Sequence, residues 1–289
     1  MLAVVCALGA SLLYALASVL QQKAAAGEDS RHSMRLGLLA RLVKSPAWLL
    51  GVGADAGGFV LQVIALGQGT LVVVQPLLVC GLLFALPIGV RWSGLRLRRH
   101  DWLAAVAVCS GLGVFLIVAR PAAGHDNISL RAWAVLLTVT FGAAAILVGA
   151  SLGRSPRAKA ILLSAAAGLI YGGAAALAKT TSHLLSKGVV AMLGHWQPWV
   201  LAVAGVVGML VIQSAFQAGA LDASLPTMTV VDPLVSIAIG ALAFGESIAT
   251  GVLASLVEVT ALAVMAAGVF VLARTEAGLA AGGRAVVTP

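Results

Sequence analysis

The chain has 289 residues, of which 61% are hydrophobic and only 10% are charged, whereas about a quarter of the residues of an ordinary soluble domain are charged. A soluble globular protein of this composition would expose too much apolar surface to water. The basic residues that give the net charge of +8 lie between apolar segments, which argues against a nucleic-acid partner. The composition therefore predicts a protein that resides in a lipid bilayer.

Nine segments are apolar over enough residues to cross about 30 Å of hydrocarbon as helices. We therefore predict an all-α polytopic membrane protein with about nine transmembrane helices. The predicted spans are approximately residues 2–22, 47–67, 70–90, 102–119, 132–151, 160–181, 199–219, 223–244 and 250–273. Residues 34–43 and 184–196 are too short to span and are expected to form interfacial or short tilted helices. The second of them leaves room for a tenth span.

The distribution of Lys and Arg predicts the orientation of the chain. If the N-terminus is outside, only four of the 18 basic residues fall in outside segments, namely Arg120, Arg131, Lys179 and Lys187. Because cytoplasmic loops are enriched in Lys and Arg, we expect a multi-pass protein of the cell (plasma) membrane with the C-terminus in the cytoplasm. No basic residue precedes Lys23, so the first span is expected to be retained rather than cleaved as a signal.

Short motifs recur in the same order at an offset near 155 residues. Gln62-x-x-Ala65-Leu66 recurs as Gln217-x-x-Ala220-Leu221, Gln75-Pro76-Leu77 as Asp232-Pro233-Leu234, and Tyr14 as Tyr171. They predict two repeats of four spans, residues 1–120 and 157–274, joined by a linker helix within residues 121–156. Five crossings, an odd number, separate the first spans of the two copies, so this 4+1+4 plan is an inverted repeat. Residues 275–289 are expected to form a disordered cytoplasmic tail.

This organisation resembles that of the drug/metabolite transporter superfamily, of the EamA-like type. Each half is similar to the four-helix unit of small multidrug resistance proteins, and the whole is most similar to the NIPA-type magnesium transporter branch. The motifs that carry the likeness are Gln21-Gln22-Lys23, Trp48-Leu-Leu-Gly51, Ala65-Leu66-Gly67, Gln75-Pro76-Leu77 and Ala178-Lys179. The resemblance covers nearly all of residues 1–274 and implies a transporter, with Mg²⁺ as one possible substrate. In the first span, Tyr14 and Ala15 stand where the small multidrug resistance proteins carry a carboxylate.

Two carboxylates within predicted spans are the main candidate site residues, because ionisable groups in lipid are costly and usually line a polar path. Asp55 lies in the second span, with Gln62 seven residues later on the same helical face. Asp232 lies in the eighth, with Thr229 and Ser236 at spacings that share its face. Each carboxylate is expected either to bind a solute, including Mg²⁺ as a metal ligand, or to be buried for packing alone.

Prolines in two spans are candidate hinges. Pro76 and Pro233 each free the carbonyl one turn earlier, because proline lacks an N–H and its ring crowds that acceptor. Interrupted helices at matching positions are typical of transporter binding sites, and Gln75 precedes Pro76 as Asp232 precedes Pro233. A plain proline kink is the alternative.

The remaining candidates lie on polar stripes. Tyr14 in the first span and Tyr171 with Lys179 in the sixth occupy equivalent positions; each tyrosine is either a binding residue or a packed side chain with one hydrogen bond. Glu258 in the ninth span is either a third ligand or proton carrier, or a carboxylate that extends outward to the interface. Glu246 is expected to be an ordinary loop or cap residue.

The sequence favours a secondary transporter that moves a small polar or cationic solute, such as a metabolite, a drug or a divalent cation, by alternating access. It lacks a dense catalytic cluster such as HExxH, so we predict neither enzymatic activity nor a cofactor. The expected partners are the solute or ion and the bilayer, and the protein is expected to be a monomer or homodimer. The alternatives are an accessory or scaffold protein whose polar stripes face outward, and a lipid flippase of the same fold.

Overall fold

A computed structural model describes residues 1–26, 45–93, 98–119, 122, 124–218, 221–246 and 251–285. The chain forms the helices α1 (Leu2–Ala26), α2 (Pro46–Gln68), α3 (Leu71–Leu78), α4 (Gly81–Ser93), α5 (Arg99–Ala119), α6 (Leu130–Ala150), α7 (Pro156–Ser186), α8 (Val189–Leu193), α9 (Gln197–Gln217), α10 (Leu221–Leu242) and α11 (Val252–Ala285). The protein is an all-α polytopic membrane protein, as predicted.

Nine segments within the described residues are long and apolar enough to span a membrane. They are α1, α2, α3 together with α4, α5, α6, α7, α9, α10 and α11, and their bounds agree with the predicted spans to within a few residues except at the ends of α7 and at the end of α11. The alternative of a tenth span at 184–196 is wrong, because α8 has only five residues. The predicted short helix at 34–43 lies outside the described residues.

Side-chain caps fix the starts of several spans. The Oγ1 of Thr70 accepts a hydrogen bond from the backbone N–H of Val73 at 3.2 Å, at the start of α3, and the Oγ of Ser129 accepts one from Ala132 at the start of α6. Proline occupies the first turn of α2 and of α7, where its missing N–H costs no helical hydrogen bond. Local sequence thus determines where these helices begin.

The third span is interrupted as the sequence predicts. Val79 and Cys80 form a turn between α3 and α4, and this turn begins three residues past Pro76. The N–H groups of Val79 and Cys80 donate to Pro76 and Leu77 respectively, three residues back instead of four. Leu78 and Val79 line the main cavity of the bundle, so the interruption lies beside it.

The predicted interruption at Pro233 does not occur. Helix α10 runs without a break from Leu221 to Leu242 through Pro226 and Pro233. A single proline removes only one hydrogen bond, and the neighbouring N–H groups can sustain the helix as a kink. Pro76 and Pro226 are each the sixth residue of their helices, so by position the structure matches Pro76 with Pro226 rather than with Pro233.

The two halves pack their helices in the same way. In the first half α1 packs on α2 and on α3–α4; in the second half α7 packs on α9 and on α10. The Tyr14 ring lies against Gly58 on α2, and the Tyr171 ring lies against Gly208 on α9. Helices α5 and α11, the last of each half, pack against each other, and the linker helix α6 packs on α7. This correspondence is what an inverted repeat predicts.

Glycines allow α7 and α10 to approach closely. A Cβ added at Gly172 would lie 2.6 Å from the Cγ1 of Val235, and one added at Gly168 would lie 2.8 Å from the Cβ of Val231. Small residues at such positions bring transmembrane helices into direct backbone contact. The Gly168-x-x-x-Gly172 spacing therefore has a packing function here.

Replacing Gly172 by Val is expected to destabilise the bundle by about 1–3 kcal/mol, because the new side chain overpacks the α7–α10 contact. The unfolding temperature of the purified protein in detergent measures the effect. Gly142→Val is the matched control, since a Cβ at Gly142 meets nothing within 4 Å. Equal unfolding temperatures for the two variants would contradict the close approach.

The last helix continues beyond the predicted end of the ninth span. Helix α11 extends to Ala285, whereas residues 275–289 were expected to form a disordered tail. The segment after Thr275 contains several alanines, which have the highest helix propensity. Residues 286–289 lie outside the described part of the chain.

Candidate solute-binding site

A cavity of about 790 Å³ lies within the bundle. Residues of α1, α2, α3, α7, α8, α9 and α10 line it, so both halves contribute. This volume is in the range of pockets that hold small organic molecules. Its polar lining residues are Tyr14, Asp55, Gln62, Gln75, Tyr171, Thr181, Thr229 and Asp232.

The cavity contains one carboxylate from each half. Asp55 projects from α2 and Asp232 from α10, and both are partly exposed within the bundle. The Oγ of Ser236 donates a hydrogen bond to Asp232 at 3.4 Å; Ser236 is fully buried behind the wall and is not itself a lining residue. The described lining residues include no Lys or Arg, so this part of the cavity favours a positively charged or hydrogen-bond-donating solute.

The two predicted tyrosines line the cavity. The Tyr14 hydroxyl donates to the Oε1 of Gln62 at 2.6 Å, which joins α1 to α2 beside Asp55. Both tyrosines are within electrostatic range of Asp55 and Asp232, so these four side chains face a common space. The structure therefore brings together most of the residues that the sequence singled out.

The cavity extends from the middle of the bundle toward one end. We call this the outer end, because the distribution of basic residues predicts that it faces outward; it contains Gly69 and residues 187–196. Met192 and Pro198 line the cavity at this end. Toward the inner end, the described lining residues reach no further than Asp55 on α2 and Met228 on α10, which are nine and seven residues past the starts of their helices.

Two buried polar atoms in the cavity wall have no hydrogen-bond partner among the described residues. They are the Nε2 of Gln75 and the Oγ1 of Thr181. Gln75 is 3% exposed and Thr181 is 7% exposed. Buried polar groups in proteins are almost always hydrogen-bonded, so these two atoms are available to water or to a solute.

Lys179, predicted to contact the solute, does not line the cavity. Its Nζ lies 2.6 Å from the Oε1 of Glu246, and both side chains are buried. The two Glu246 oxygens also accept hydrogen bonds from the backbone N–H groups of Leu71 and Val72, each at 2.9 Å. The carboxylate thus caps α3, whose N-terminus favours a negative charge, and Lys179 has a structural role instead.

Aromatic side chains pack around this ion pair. The Lys179 Nζ lies 5.0 Å from the centroid of the Phe244 ring, and the Trp133 ring meets Phe244 and Trp196 edge to face. Trp133 is 2% exposed, and its Nε1 donates to the Oδ1 of Asn127. The outer end is therefore held together by a buried polar and aromatic cluster.

The structure does not bring Glu258 to the cavity. Its side chain is 6% exposed, so the alternative of a carboxylate that extends outward is also wrong. Glu246 was expected to be a loop or cap residue, and it is a cap, but the sequence did not show which helix it caps, because its partner Leu71 is 175 residues away. Only the position of Glu246 beside the start of the ninth span hinted at a cap.

Among the described lining residues, the carboxylate oxygens belong to Asp55 and Asp232. Mg²⁺ is often held by one or two carboxylates and several waters, so a hydrated ion is chemically compatible with this pair. Within the described ranges, no group of three or more His, Cys, Asp or Glu side chains lies close enough together to hold a metal.

A protein of Corynebacterium glutamicum, itself uncharacterised, is 32% identical to this chain over 250 residues. The match covers 85% of this chain and 86% of the other. The chain belongs to the same family as that protein. Because the match covers most of both chains, it includes most of the membrane-spanning residues of this chain. No family model matches the chain, and no solved structure matches it.

Proposed function

We propose that the protein is a secondary transporter that moves a small polar or cationic solute across the membrane by alternating access. The observation that carries this proposal is the cavity of about 790 Å³ with one carboxylate from each half. Carboxylates within a membrane are costly and typically mark a solute or ion path. An accessory or scaffold protein would have no central cavity and would turn its polar stripes outward, so the cavity favours transport over that alternative.

The packing of the two halves supports alternating access. Matched helix pairs surround the cavity, which reaches Met192 at the outer end, whereas its described lining residues stop at Asp55 and Met228, short of the inner end. In an inverted repeat the two halves have different conformations. When each half adopts the conformation of the other, the cavity closes at one end and opens at the opposite end. We propose that the structure represents the outward-facing state of a plasma-membrane transporter whose N-terminus is outside.

We also propose membership of the drug/metabolite transporter superfamily, close to the NIPA-type branch. Nine spans and matched packing in two halves support this assignment. The cavity volume favours a solute of several non-hydrogen atoms over a bare ion, and the tyrosine rings beside the carboxylates suit an organic cation. Mg²⁺ is tested beside amines, because carboxylate oxygens are also ligands that a hydrated Mg²⁺ ion accepts.

Replacing Gly205 by Leu is expected to block solute binding and transport without unfolding the protein. Gly205 lines the cavity, and a Cβ there meets nothing within 4 Å, so the new side chain occupies solute space only. Uptake of hexylamine, putrescine and Mg²⁺ into proteoliposomes measures the effect. We expect at least one of these probes to enter with the wild type and to be excluded by the variant.

Gly142→Leu is the matched control for this experiment. Its Cβ also meets open space, on α6 and outside the cavity, so uptake should remain at the wild-type rate. Equal uptake by the two variants would show that the cavity is not the solute path.

A further inference from the structure

Gln75 and Thr181 are the cavity-lining residues, among those described, that have a buried polar atom without a hydrogen-bond partner. Thr229, Thr140 and Ser214 each donate their hydroxyl to a backbone carbonyl four residues earlier, the usual solution for such residues in a membrane helix. The Thr181 Oγ1 has no such partner among the described residues, nor has the Gln75 Nε2. Both line the cavity, so their free hydrogen-bonding capacity faces the solute space.

These two residues lie nearer the outer end than the carboxylates do. Asp232 is level with Gly168 and Gly172 on α7, because a Cβ at either glycine would lie within 3.4 Å of the Asp232 backbone. Thr181 is nine residues past Gly172 on the same helix, which corresponds to about 13 Å along its axis. Gln75 lies just over one turn from the N-terminus of α3, which Glu246 holds at the outer end.

On the α7 side, the wall between the two polar regions is apolar, and Gln62 on the α2 side is already bonded to Tyr14. On α7, the lining residues between the level of Asp232 and Thr181 are Ala174, Ala175 and Ala178. An elongated solute that reaches from the carboxylates to Gln75 would therefore have its middle against methyl groups. Apolar walls with a few fixed polar groups are typical of sites that set the orientation of a small molecule.

We propose that Gln75 and Thr181 form a second subsite that binds a neutral hydrogen-bond-accepting group of the solute, such as an amide carbonyl, while Asp55 and Asp232 bind its cationic group. The substrate class is then an amine with an apolar spacer and a neutral oxygen acceptor at its far end. A carboxylate is disfavoured as the acceptor, since two aspartates already make the cavity negative. This inference rests on the proposed transport function and defines its substrate.

A pair of matched compounds tests the subsite. 6-Aminohexanamide and hexylamine share the ammonium group and a six-carbon chain, but only the first carries an acceptor. Isothermal titration calorimetry on the purified full-length protein is expected to give about 3- to 10-fold tighter binding of 6-aminohexanamide, the gain of one neutral hydrogen bond. Equal affinities would overturn the subsite and show that water suffices for these atoms.

The variants Gln75→Leu and Thr181→Val should each reduce or abolish this preference without weakening the binding of hexylamine. Gln197→Leu and Ser164→Ala are the matched controls. Each removes a buried atom that is also unpartnered among the described residues but does not line the cavity, so the preference should persist. A preference that survives in both Gln75→Leu and Thr181→Val overturns the proposal.

The outcome separates the subsite from the proposed function. If hexylamine binds and this binding is lost in Asp232→Asn, while 6-aminohexanamide has no advantage, the subsite is wrong and the transport proposal stands. If neither compound binds the wild type, the assignment of an amine substrate fails together with the subsite.

Gln75→Leu and Thr181→Val should unfold at no lower temperature than the wild type, because neither variant loses a hydrogen bond to a described residue.

Discussion

Replacing Asp55 or Asp232 by Asn is expected to weaken the binding of a cationic solute about 10- to 100-fold. Each substitution keeps the size of the side chain and removes the negative charge that faces the cavity. A hydrogen bond to a charged group contributes about 1.5–3 kcal/mol, and each 1.4 kcal/mol corresponds to about tenfold in affinity. The loss should be of similar size for the two residues, because one comes from each half.

The measurement is the rise in unfolding temperature that hexylamine, putrescine or Mg²⁺ causes, since a ligand of the folded state stabilises it. Asp126→Asn is the control: this carboxylate is exposed at the outer end and pairs with His183. Its loss should leave ligand stabilisation at the wild-type level. If both cavity variants respond like the wild type to every cation that binds, the site assignment is wrong.

Replacing Glu246 by Gln is expected to destabilise the protein by about 3–5 kcal/mol, because it leaves the buried Lys179 ammonium without its countercharge. The carboxylate also caps the backbone N–H groups of Leu71 and Val72, so α3 loses charge-assisted hydrogen bonds. A clear fall in the unfolding temperature of the purified protein would report this loss. The start of α3, which precedes the cavity residue Gln75, is expected to lose order as well.

The double variant Glu246→Gln with Lys179→Met gives the control for this prediction. Removing both charges leaves no uncompensated buried ion, so the double variant should be more stable than Glu246→Gln alone. If Glu246→Gln unfolds at the wild-type temperature, the ion pair does not stabilise the outer end. If the double variant is the least stable, capping by the carboxylate and not charge pairing dominates.

The spans and the cavity carboxylates could be predicted because both depend on local composition. Length and hydropathy alone place each membrane helix, and an acid inside an apolar segment, such as Asp55 or Asp232, is rare enough to indicate a polar path. The tyrosines followed from their matched positions in the repeat. These features need no knowledge of which helices contact each other.

The roles of Lys179 and Glu246 could not be predicted, because they depend on contacts between distant segments. The two residues are 67 positions apart, and the sequence carries no signal that pairs them. Thr181 was missed for a different reason: the hydroxyl of a threonine in an apolar helix usually donates a hydrogen bond to a backbone carbonyl of the same helix. The sequence paired Pro76 with Pro233, whereas Pro226 has the matching position in its helix. Similar short motifs can match at several offsets in a chain rich in Ala, Val and Leu.

If the cavity opens alternately to the two sides of the membrane, a cysteine in place of Gly205 on the cavity wall is accessible from each side in turn. Cys6, Cys80 and Cys109 are first replaced by Ala, and Gly205→Cys then places one thiol on the cavity wall. A membrane-impermeant thiol reagent is applied to right-side-out and to inverted vesicles. We expect labelling from both sides, and a transported solute should change the ratio; labelling from one side only, under all conditions, would contradict alternating access.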